Sequence, residues 1–377
     1  MKNKLKALKI LVFILIVVTL SFRGWSSSRD IEKRSFVLTQ GVDTAPDNTF
    51  SVTYSLANPQ ALGNEEGGGS KGKESAIIYK TRCRNLWQGH HFIQARTEHP
   101  LFLGHVQTLV LGEELARQGI GRVVDVFMRA AETRLKTWLV VAEGEAGKIL
   151  EVAPKPEKLA PLYIGRALEM EDYLNVIPLL RVAEFGIRLR NPGEHPVAPM
   201  VKAGDDELAL TGLALFKDDK MVGKLNHEEM HYFFLTVAGK GHMFKRVETS
   251  AGDTFSYEIS NVKRRVRLHR TGDQVSFSVL LAVEGNIVEA VTERSLRDME
   301  FLASVEQVIT EALAKDCRAL LTKIQTEFQV DSFGFGAMVR GRYPKLWAQL
   351  DWDQDFPTVP IKITLDATIR RLGMVSE

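Results

Sequence analysis

The stretch from Phe102 to Glu143 places the tightest constraint on what this chain can fold into. Its first part, His105–Leu111, is a short and nearly continuous apolar run, which is typical of a strand covered on both faces. A short helix is predicted to begin at Glu113, where negative charge suits the helix dipole, and to end at Gly119. A second helix and a second strand follow, at Val123–Arg129 and Leu135–Ala142. This order is a crossover, so the two strands are predicted to be parallel neighbours.

The last third of the chain has a different pattern. Apolar and polar residues alternate over 255–259, 275–283 and 361–369, which predicts strands with one buried face and is typical of an antiparallel sheet. Between these strands, apolar residues recur at three- and four-residue steps from Ser295 to Gln329. One long amphipathic helix packed on an antiparallel sheet predicts a two-layer α+β domain.

Composition limits the class of protein. A chain of 377 residues is too long for one ordinary core, so two or three domains are expected. The net charge of +2 argues against a nucleic-acid binder. The two cysteines, Cys83 and Cys317, exclude a disulfide framework and a cysteine zinc site. Cys317 lies on the apolar stripe of the long helix and is predicted to be a buried thiol, although a disulfide between the two remains open.

The amino terminus indicates export. An uncharged run of 13 residues, Ile10 to Phe22, follows a segment with four lysines, so the rest of the chain is predicted to lie outside the cytoplasm. That length is typical of a signal-peptide core rather than of a full membrane span. Ser26–Ser28 is a weak cleavage site. Both a signal peptide and an uncleaved anchor remain open, and we favour the anchor.

Short motifs along the chain point to one family. They are Gly104-His105, Gly112-Glu113-Glu114-Leu115-Ala116, Gly119-Ile120, Val140-Val141-Ala142-Glu143-Gly144, Ile149-Leu150-Glu151, Gly212-Leu213-Ala214-Leu215-Phe216, Asp331-Ser332-Phe333-Gly334-Phe335-Gly336 and Tyr343-Pro344-Lys345-Leu346-Trp347. In this order the chain resembles the Ger(x)C family of spore germination proteins, the C subunits of germinant receptors. It departs from that family at Gly24, which stands where the lipobox cysteine is usual, so lipidation cannot occur there.

The resemblance implies a mixed α/β protein of the α+β class with three domains. We predict a signal or anchor segment at 1–24, an amino-terminal mixed sheet with helices at 25–200, a small hairpin–helix domain at 201–250, and an antiparallel sheet with a long helix at 251–377. The resemblance also implies a non-enzymatic protein on the outer face of the inner spore membrane. It would act with integral-membrane A and B subunits in nutrient-triggered germination, without a cofactor, a metal or nucleic acid.

One motif supports a different function. His227-Glu228-Glu229-Met230-His231 fits the zinc-protease pattern, in which two histidines bind zinc from one helix face and Glu228 activates a water molecule. The predicted helix begins at this motif, with Asn226 as its cap, which is an exposed place for a metal site. Phe234 also occupies the glycine position of the extended motif. An exported zinc-dependent hydrolase using His227, Glu228 and His231 is therefore the alternative hypothesis, and a solute-binding module is a third.

A basic cluster is the last feature of note. It consists of Lys263, Arg264, Arg265, Arg267 and Arg270. It could face anionic lipid headgroups, where each charge contributes about 1 kcal/mol, or it could be a solvated strand face.

Overall fold

The structure is a computed structural model that describes residues 34–58, 76–130, 132–152, 154, 160–173, 181–239 and 241–371. The predicted leader at Ile10–Phe22 and the lipobox position Gly24 lie outside these residues. Within the described ranges, no helix has both the length and the apolar character needed to cross a membrane.

The strands are named in chain order. They are β1 Ser35–Ala45, β2 Thr49–Ala57, β3 Ala76–Cys83, β4 Leu101–Phe102, β5 Thr108–Gly112, β6 Trp138–Ala142, β7 Val197–Ala203, β8 Leu208–Lys217, β9 Lys220–Asn226, β10 Phe244–Glu248, β11 Thr254–Thr271, β12 Gln274–Val291 and β13 Ile361–Arg371.

The α-helices are named in the same way. They are α1 Leu86–Gln94, α2 Glu113–Gln118, α3 Gly121–Arg129, α4 Ala146–Glu151, α5 Ala160–Tyr173, α6 Val182–Leu189, α7 His227–Ala238, α8 Met299–Lys323, α9 Phe335–Arg342, α10 Pro344–Trp347 and α11 Trp352–Asp355. A π-helical turn, Ile324–Phe328, continues α8, and short 3-10 turns lie at Leu103–His105 and Phe356–Thr358.

The first sheet is built around the predicted crossover. Its strand order is β3-β2-β1-β5-β6-β7-β8-β9, with β4 beside β1. Strands β5 and β6 are parallel, with Thr108 opposite Trp138 and Gly112 opposite Ala142, and every residue of both strands is buried. The prediction of two parallel, fully covered strands is therefore confirmed, although the chain from Leu103 to His105 forms a 3-10 turn rather than the start of the strand.

Strand β2 is more deeply buried than its alternating sequence predicts. Thr53 and Ser55 are fully buried together with their apolar neighbours, whereas the alternation of apolar and polar residues over 50–56 is typical of a strand with one solvent-exposed face. Helix α4 explains the difference, because it packs on the face that carries Thr53, whose Oγ1 lies close to Gly147. Asp43 of β1 anchors this helix: its carboxylate oxygens accept hydrogen bonds from the backbone N–H groups of Ala146 and Gly147, at 2.6 and 3.0 Å.

The hairpin β8–β9 extends the first sheet. Strand β7 pairs in parallel with β6, with Val141 opposite Met200, and β8 and β9 follow it antiparallel. The sequence placed this hairpin in a separate middle domain at 201–250, because no local pattern reports that β7 pairs with the crossover strands. The division of the chain into three domains stays a prediction.

Strand β8 also joins two cores. Ala214 and Phe216 belong to the core of the first sheet, whereas Leu213 and Leu215 on the opposite face belong to the core of the carboxy-terminal part. Helix α7 contributes Phe233 and Phe234 to that second core. Because alternate side chains of β8 enter different cores, this strand of the first sheet forms the wall between the two cores.

The second sheet has the order β10-β11-β12-β13, and α8 packs on one of its faces. The mixed α+β class is confirmed, but the sheet is not wholly antiparallel, since β13 runs parallel to β12 with Phe277 opposite Ile361. The reason is α8, which returns the chain to the end of the sheet where β12 began. The alternating sequence of β13 indicates one solvent-exposed face. An edge strand shows the same alternation whether it runs parallel or antiparallel to its neighbour. Asp298 rather than Ser295 caps α8, accepting from the N–H groups of Glu300 and Phe301.

Candidate functional site

The zinc-protease-like motif forms the first turn of α7. The rings of His227 and His231 lie edge to face with their centres 4.6 Å apart. Asn226 and Glu229 form a reciprocal capping box at this helix start, and Lys323 Nζ contacts Glu229 Oε1 at 2.7 Å. The helix start is therefore capped, and Asn226, His227 and Glu228 are exposed, as the sequence indicated.

The glutamate of the motif is already engaged. Glu228 Oε1 accepts a hydrogen bond from Tyr232 Oη at 3.1 Å and lies 3.6 Å from Lys245 Nζ. Burial lowers the pKa of His231 to about 4, so its imidazole is neutral over the physiological range. Among the described residues, no group of three or more His, Cys, Asp or Glu side chains is arranged to hold a metal ion.

A second group of residues connects the part of the molecule that contains the first sheet to the part that contains the second sheet. It consists of Gly193, His195, Asp331, Gly336 and Trp352, and we call it the Asp331 junction. Asp331 is fully buried and follows the π-helical turn, where Gln329 takes a left-handed conformation with φ 54°. The junction therefore begins where the chain leaves the long helix.

Four N–H groups converge on the Asp331 carboxylate. Oδ1 accepts from the backbone N–H groups of Phe333 and Gly334, at 3.1 and 2.9 Å. Oδ2 accepts from the backbone N–H of Gly336 and the indole Nε1 of Trp352, at 2.7 and 2.9 Å. These bonds suit an ionised carboxylate, which accepts hydrogen bonds only. The glycine-rich segment that follows Asp331 thus serves this carboxylate and not a nucleotide phosphate.

His195 connects the first sheet to this carboxylate loop. Its backbone N–H donates to the Asp331 carbonyl at 2.9 Å, and its Nδ1 accepts from the Asp331 backbone N–H at 3.0 Å. The ring proton therefore sits on Nε2, which lies 3.6 Å from Asp353 Oδ1. Burial lowers the pKa of His195, so the imidazole is a neutral structural link rather than a free base.

Close backbone approach completes the junction. The Ala337 N–H donates to the Gly193 carbonyl at 3.0 Å, and Gly193 has a φ of 85°. A Cβ on Gly193 would lie 2.6 Å from a backbone carbon of Gly336, and one on Gly336 would lie 2.4 Å from Trp352 Nε1. Both positions require glycine for reasons of space.

Burial raises the pKa of Asp331 to about 6, against hydrogen bonds from Gly336 and Trp352 that lower it. The carboxylate is therefore ionised at neutral pH, with its charge held by the four donors.

A cleft of about 490 Å³ opens beside the junction. It is bounded by the chain from Leu189 to Pro196, the β8–β9 turn at Asp218 and the segment from Trp347 to Asp353. Its wall carries four carboxylates, two tryptophan rings and the guanidinium of one arginine: Glu194, Asp218, Asp351, Asp353, Trp347, Trp352 and Arg190. The cleft is therefore polar and mainly acidic.

The lining of the cleft holds carboxylates but few other reactive side chains. None of the described residues that line it is a serine, threonine, cysteine, tyrosine or lysine, so it lacks a hydroxyl, thiol or amine nucleophile. Both nitrogens of its only histidine, His195, face partners. Elsewhere, Cys83 and Cys317 are free and buried, as predicted for Cys317, and burial raises the pKa of Cys317 to about 12, which removes thiolate reactivity.

Two family models match the chain in succession. The model described as spore germination protein N-terminal domain matches residues 27–203. The model described as spore germination B3/GerAC like, C-terminal, matches residues 211–373. The chain belongs to this family of spore germination proteins. The resemblance drawn from the short motifs is confirmed, and the function of the chain lies in spore germination.

Relatives of the family agree in length with this chain. Spore germination protein YndF of Bacillus subtilis (strain 168) is 26% identical, with 100% of this chain and 98% of the relative covered. Spore germination protein B3 of the same organism is 22% identical, with 97% and 98% covered. The crystal structure of the GerBC protein matches with a TM-score of 0.60 at 20% identity, over 90% of this chain and 99% of that one, and so shares the fold.

Sequence reasoning missed the Asp331 junction as a unit. The segment from Asp331 to Gly336 was recognised by its resemblance to the germination family, but its role as a cradle for its own aspartate was not predicted. The sequence did contain a usable signal. Asp331 follows a long helix and precedes Gly334 and Gly336, so its carboxylate is an acceptor next to backbone N–H groups that no helix uses. No such signal exists for His195, which lies 136 residues away in the chain.

Proposed function

We propose that this germination protein is a non-enzymatic, membrane-associated subunit of a germinant receptor that acts in nutrient-triggered spore germination. The observation that carries the proposal is the succession of two germination-family matches, over residues 27–203 and 211–373. Relatives of similar length named spore germination protein A3 and B3 support the same assignment. Integral-membrane A and B subunits are the proposed partners.

The geometry is consistent with a subunit that works through contact surfaces. The buried carboxylate of Asp331 has all its hydrogen-bond donors within the protein, and His195 links one half of the molecule to the other. A rigid contact between the halves is what a signal-coupling subunit requires, because a change at one surface can then reach the other. The acidic cleft beside it is the proposed contact site for a basic or hydrogen-bonding partner segment.

The proposed location is the outer face of the inner spore membrane. The lysine-rich start and the apolar run from Ile10 to Phe22 support an uncleaved amino-terminal anchor, which would tether the chain without a lipobox cysteine. The proposed organisation keeps the anchor at 1–24 and the three divisions at 25–200, 201–250 and 251–377.

A germination assay tests this function. Spores that lack the gene are expected to lose the fall in optical density with at least one nutrient in a panel, and to regain it with the wild-type gene. His231→Ala is expected to restore germination as well as the wild type does. Asp331→Ala, with the protein level checked by immunoblot, is expected to restore it poorly.

Two outcomes would contradict the proposal. One is normal germination of the deletion strain with every nutrient. The other is failure of His231→Ala to restore germination together with stoichiometric zinc in the purified wild-type chain, which would favour the exported hydrolase. Cross-linking in spore membranes supplies the partner test, since the tagged chain is expected to be recovered with integral-membrane companions.

A further inference from the structure

The outward face of the second sheet carries a one-sided array of positive charge. Along β11, successive side chains point to opposite faces, so Lys263, Arg265 and Arg267 lie on one face and are exposed. The other face carries Val266 and Leu268 and packs toward the core that contains α7 and α8. On that inner side, Arg264 Nε donates to the Thr236 carbonyl. The three exposed cations are therefore not used in packing the sheet.

The neighbouring strands place mainly small or neutral side chains between these cations. Arg265 is opposite Leu280 of β12, which is in turn opposite Thr364 of β13. Arg267 is opposite Ser278, which is opposite Lys362. Small or neutral side chains thus separate the cations, and the exposed Leu280 lies at the centre.

Acidic groups neutralise only part of this array. Glu284 contacts Arg370 at 2.7 Å and Lys263 at 3.7 Å. The hydrogen bond from Arg370 lowers the pKa of Glu284 to about 2, so this carboxylate is ionised at neutral pH and its charge is matched by Arg370. Asp366 is exposed on β13 opposite Ala282, in the same cross-strand row as Lys263, so it offsets one positive charge at that corner of the face. We define Lys263, Arg265, Arg267, Leu280 and Lys362 as the basic face.

We propose that the basic face docks on the surface of a bilayer that contains anionic phospholipid. The proposal rests on the membrane association proposed above and adds which surface of the protein meets the lipid. The lipid phosphates would lie against the exposed cations, and Leu280 would enter the headgroup region.

The shape and chemistry of the basic face favour lipid over the other anionic partners. From Lys263 to Arg267 it extends about 14 Å along the strand, and it is about 10 Å wide from β11 to β13. An open array on the outer face of a sheet can meet a broad surface, whereas a small anion requires a concave pocket. Nucleic acid is disfavoured because the net charge of the chain is only +2, whereas nucleic-acid binders usually carry a strong basic excess.

Vesicle binding by the full-length chain tests the proposal. Partition is measured with phosphatidylcholine vesicles and with vesicles that also contain phosphatidylglycerol, and the ratio of the two partition coefficients removes the contribution of an apolar anchor. Changing Lys263→Glu, Arg265→Glu and Arg267→Glu together is expected to lower this ratio by at least about 100-fold, since each cation near the surface acts almost independently. High salt is expected to lower the wild-type ratio as well.

A matched control separates position from net charge. The triple change Lys148→Glu, Lys202→Glu and Lys220→Glu alters the charge by the same amount at exposed sites on the first sheet and the helix beside it, and is expected to leave the ratio within about 10-fold of wild type. Circular dichroism and thermal unfolding check that both variants fold. Equal loss in the two variants would overturn the proposal, because the effect would then come from net charge alone.

A site-specific probe gives an independent measurement. Leu280 and Val222 are both 38% exposed on strands of different sheets, and the two native cysteines are buried. An environment-sensitive dye on Leu280→Cys is expected to shift to the blue only with anionic vesicles, while the same dye on Val222→Cys is unchanged. A shift at Val222→Cys alone would overturn the docking face.

Two further arms identify the ligand. Displacement of the chain from anionic vesicles by short DNA at low concentration would assign the face to nucleic acid and overturn the proposal, as would displacement by millimolar inorganic phosphate. The proposed receptor function is tested separately by spore germination. Charge-independent vesicle binding together with a germination defect in the deletion strain would refute the docking face alone.

Discussion

Replacing Asp331 by Asn perturbs the junction with almost no change in shape. The carboxylate accepts four hydrogen bonds, two on each oxygen. Asparagine keeps one oxygen, so two of these bonds survive. The new amide group places N–H donors against the other two donors, and these are left without an acceptor in a fully buried site.

The expected loss of stability follows from this count. Each buried donor left unsatisfied costs about 1–3 kcal/mol, so two of them cost about 2–6 kcal/mol. Removal of a buried charge offsets part of this cost, because burial disfavours the ionised form of Asp331. We therefore expect Asp331→Asn to lower the free energy of unfolding by about 2–4 kcal/mol at neutral pH.

The variant should also change how stability depends on pH. Burial raises the pKa of Asp331 from 3.8 to about 6, so between these values the folded protein binds a proton that the unfolded chain does not. This group therefore adds stability as the pH falls through about 6, by about 2–3 kcal/mol at pH 4. Asparagine has no such proton. The stability difference between wild type and variant is thus expected to grow as the pH falls.

Urea unfolding followed by tryptophan fluorescence measures this difference, because Trp352 donates directly to Asp331. Both proteins are unfolded at several pH values between about 7 and about 4, and the two free energies are subtracted at each pH. Asp205→Asn, at an exposed position, is the control and is expected to change neither quantity. A difference that stays constant or shrinks on acidification would refute the reasoning, since Asp331 would then keep its charge in the folded state.

Four further outcomes are expected. Gly193→Ala should destabilise the chain by more than about 3 kcal/mol in thermal unfolding, because its Cβ meets backbone atoms, whereas Gly252→Ala, at a φ of 90° with nothing within 4 Å, should cost only about 1 kcal/mol. Asp43→Ala should cost about 2 kcal/mol in urea unfolding, and Asp43→Asn less, because the amide keeps one acceptor for the start of α4. Asn226→Ala should cost about 1 kcal/mol through loss of the capping box, and an unchanged midpoint would refute the cap. His231→Ala should leave the metal content of the purified chain unchanged by mass spectrometry, and loss of bound zinc would contradict this.

Local pattern determined the elements and much of their burial. The apolar run and the two short helices between Thr108 and Ala142 were predictable, because a strand covered on both faces and a helix start with glutamates each leave a local signature. The cap at Asn226 and the long helix were predictable for the same reason. The family could also be recognised, since its motifs are short stretches in a fixed order.

Pairing between distant segments was decided by the tertiary structure alone. The parallel direction of β13, the addition of β7 to β6 and the meeting of His195 with Asp331 depend on which strands and loops become neighbours in space. Residue type reports whether a face is buried but not what buries it, so none of these could be read from the chain. The basic face lies between these two cases. The two-residue period of β11 places Lys263, Arg265 and Arg267 on one face of the strand. Only the packing of the opposite face against the core determines that this face is exposed to solvent.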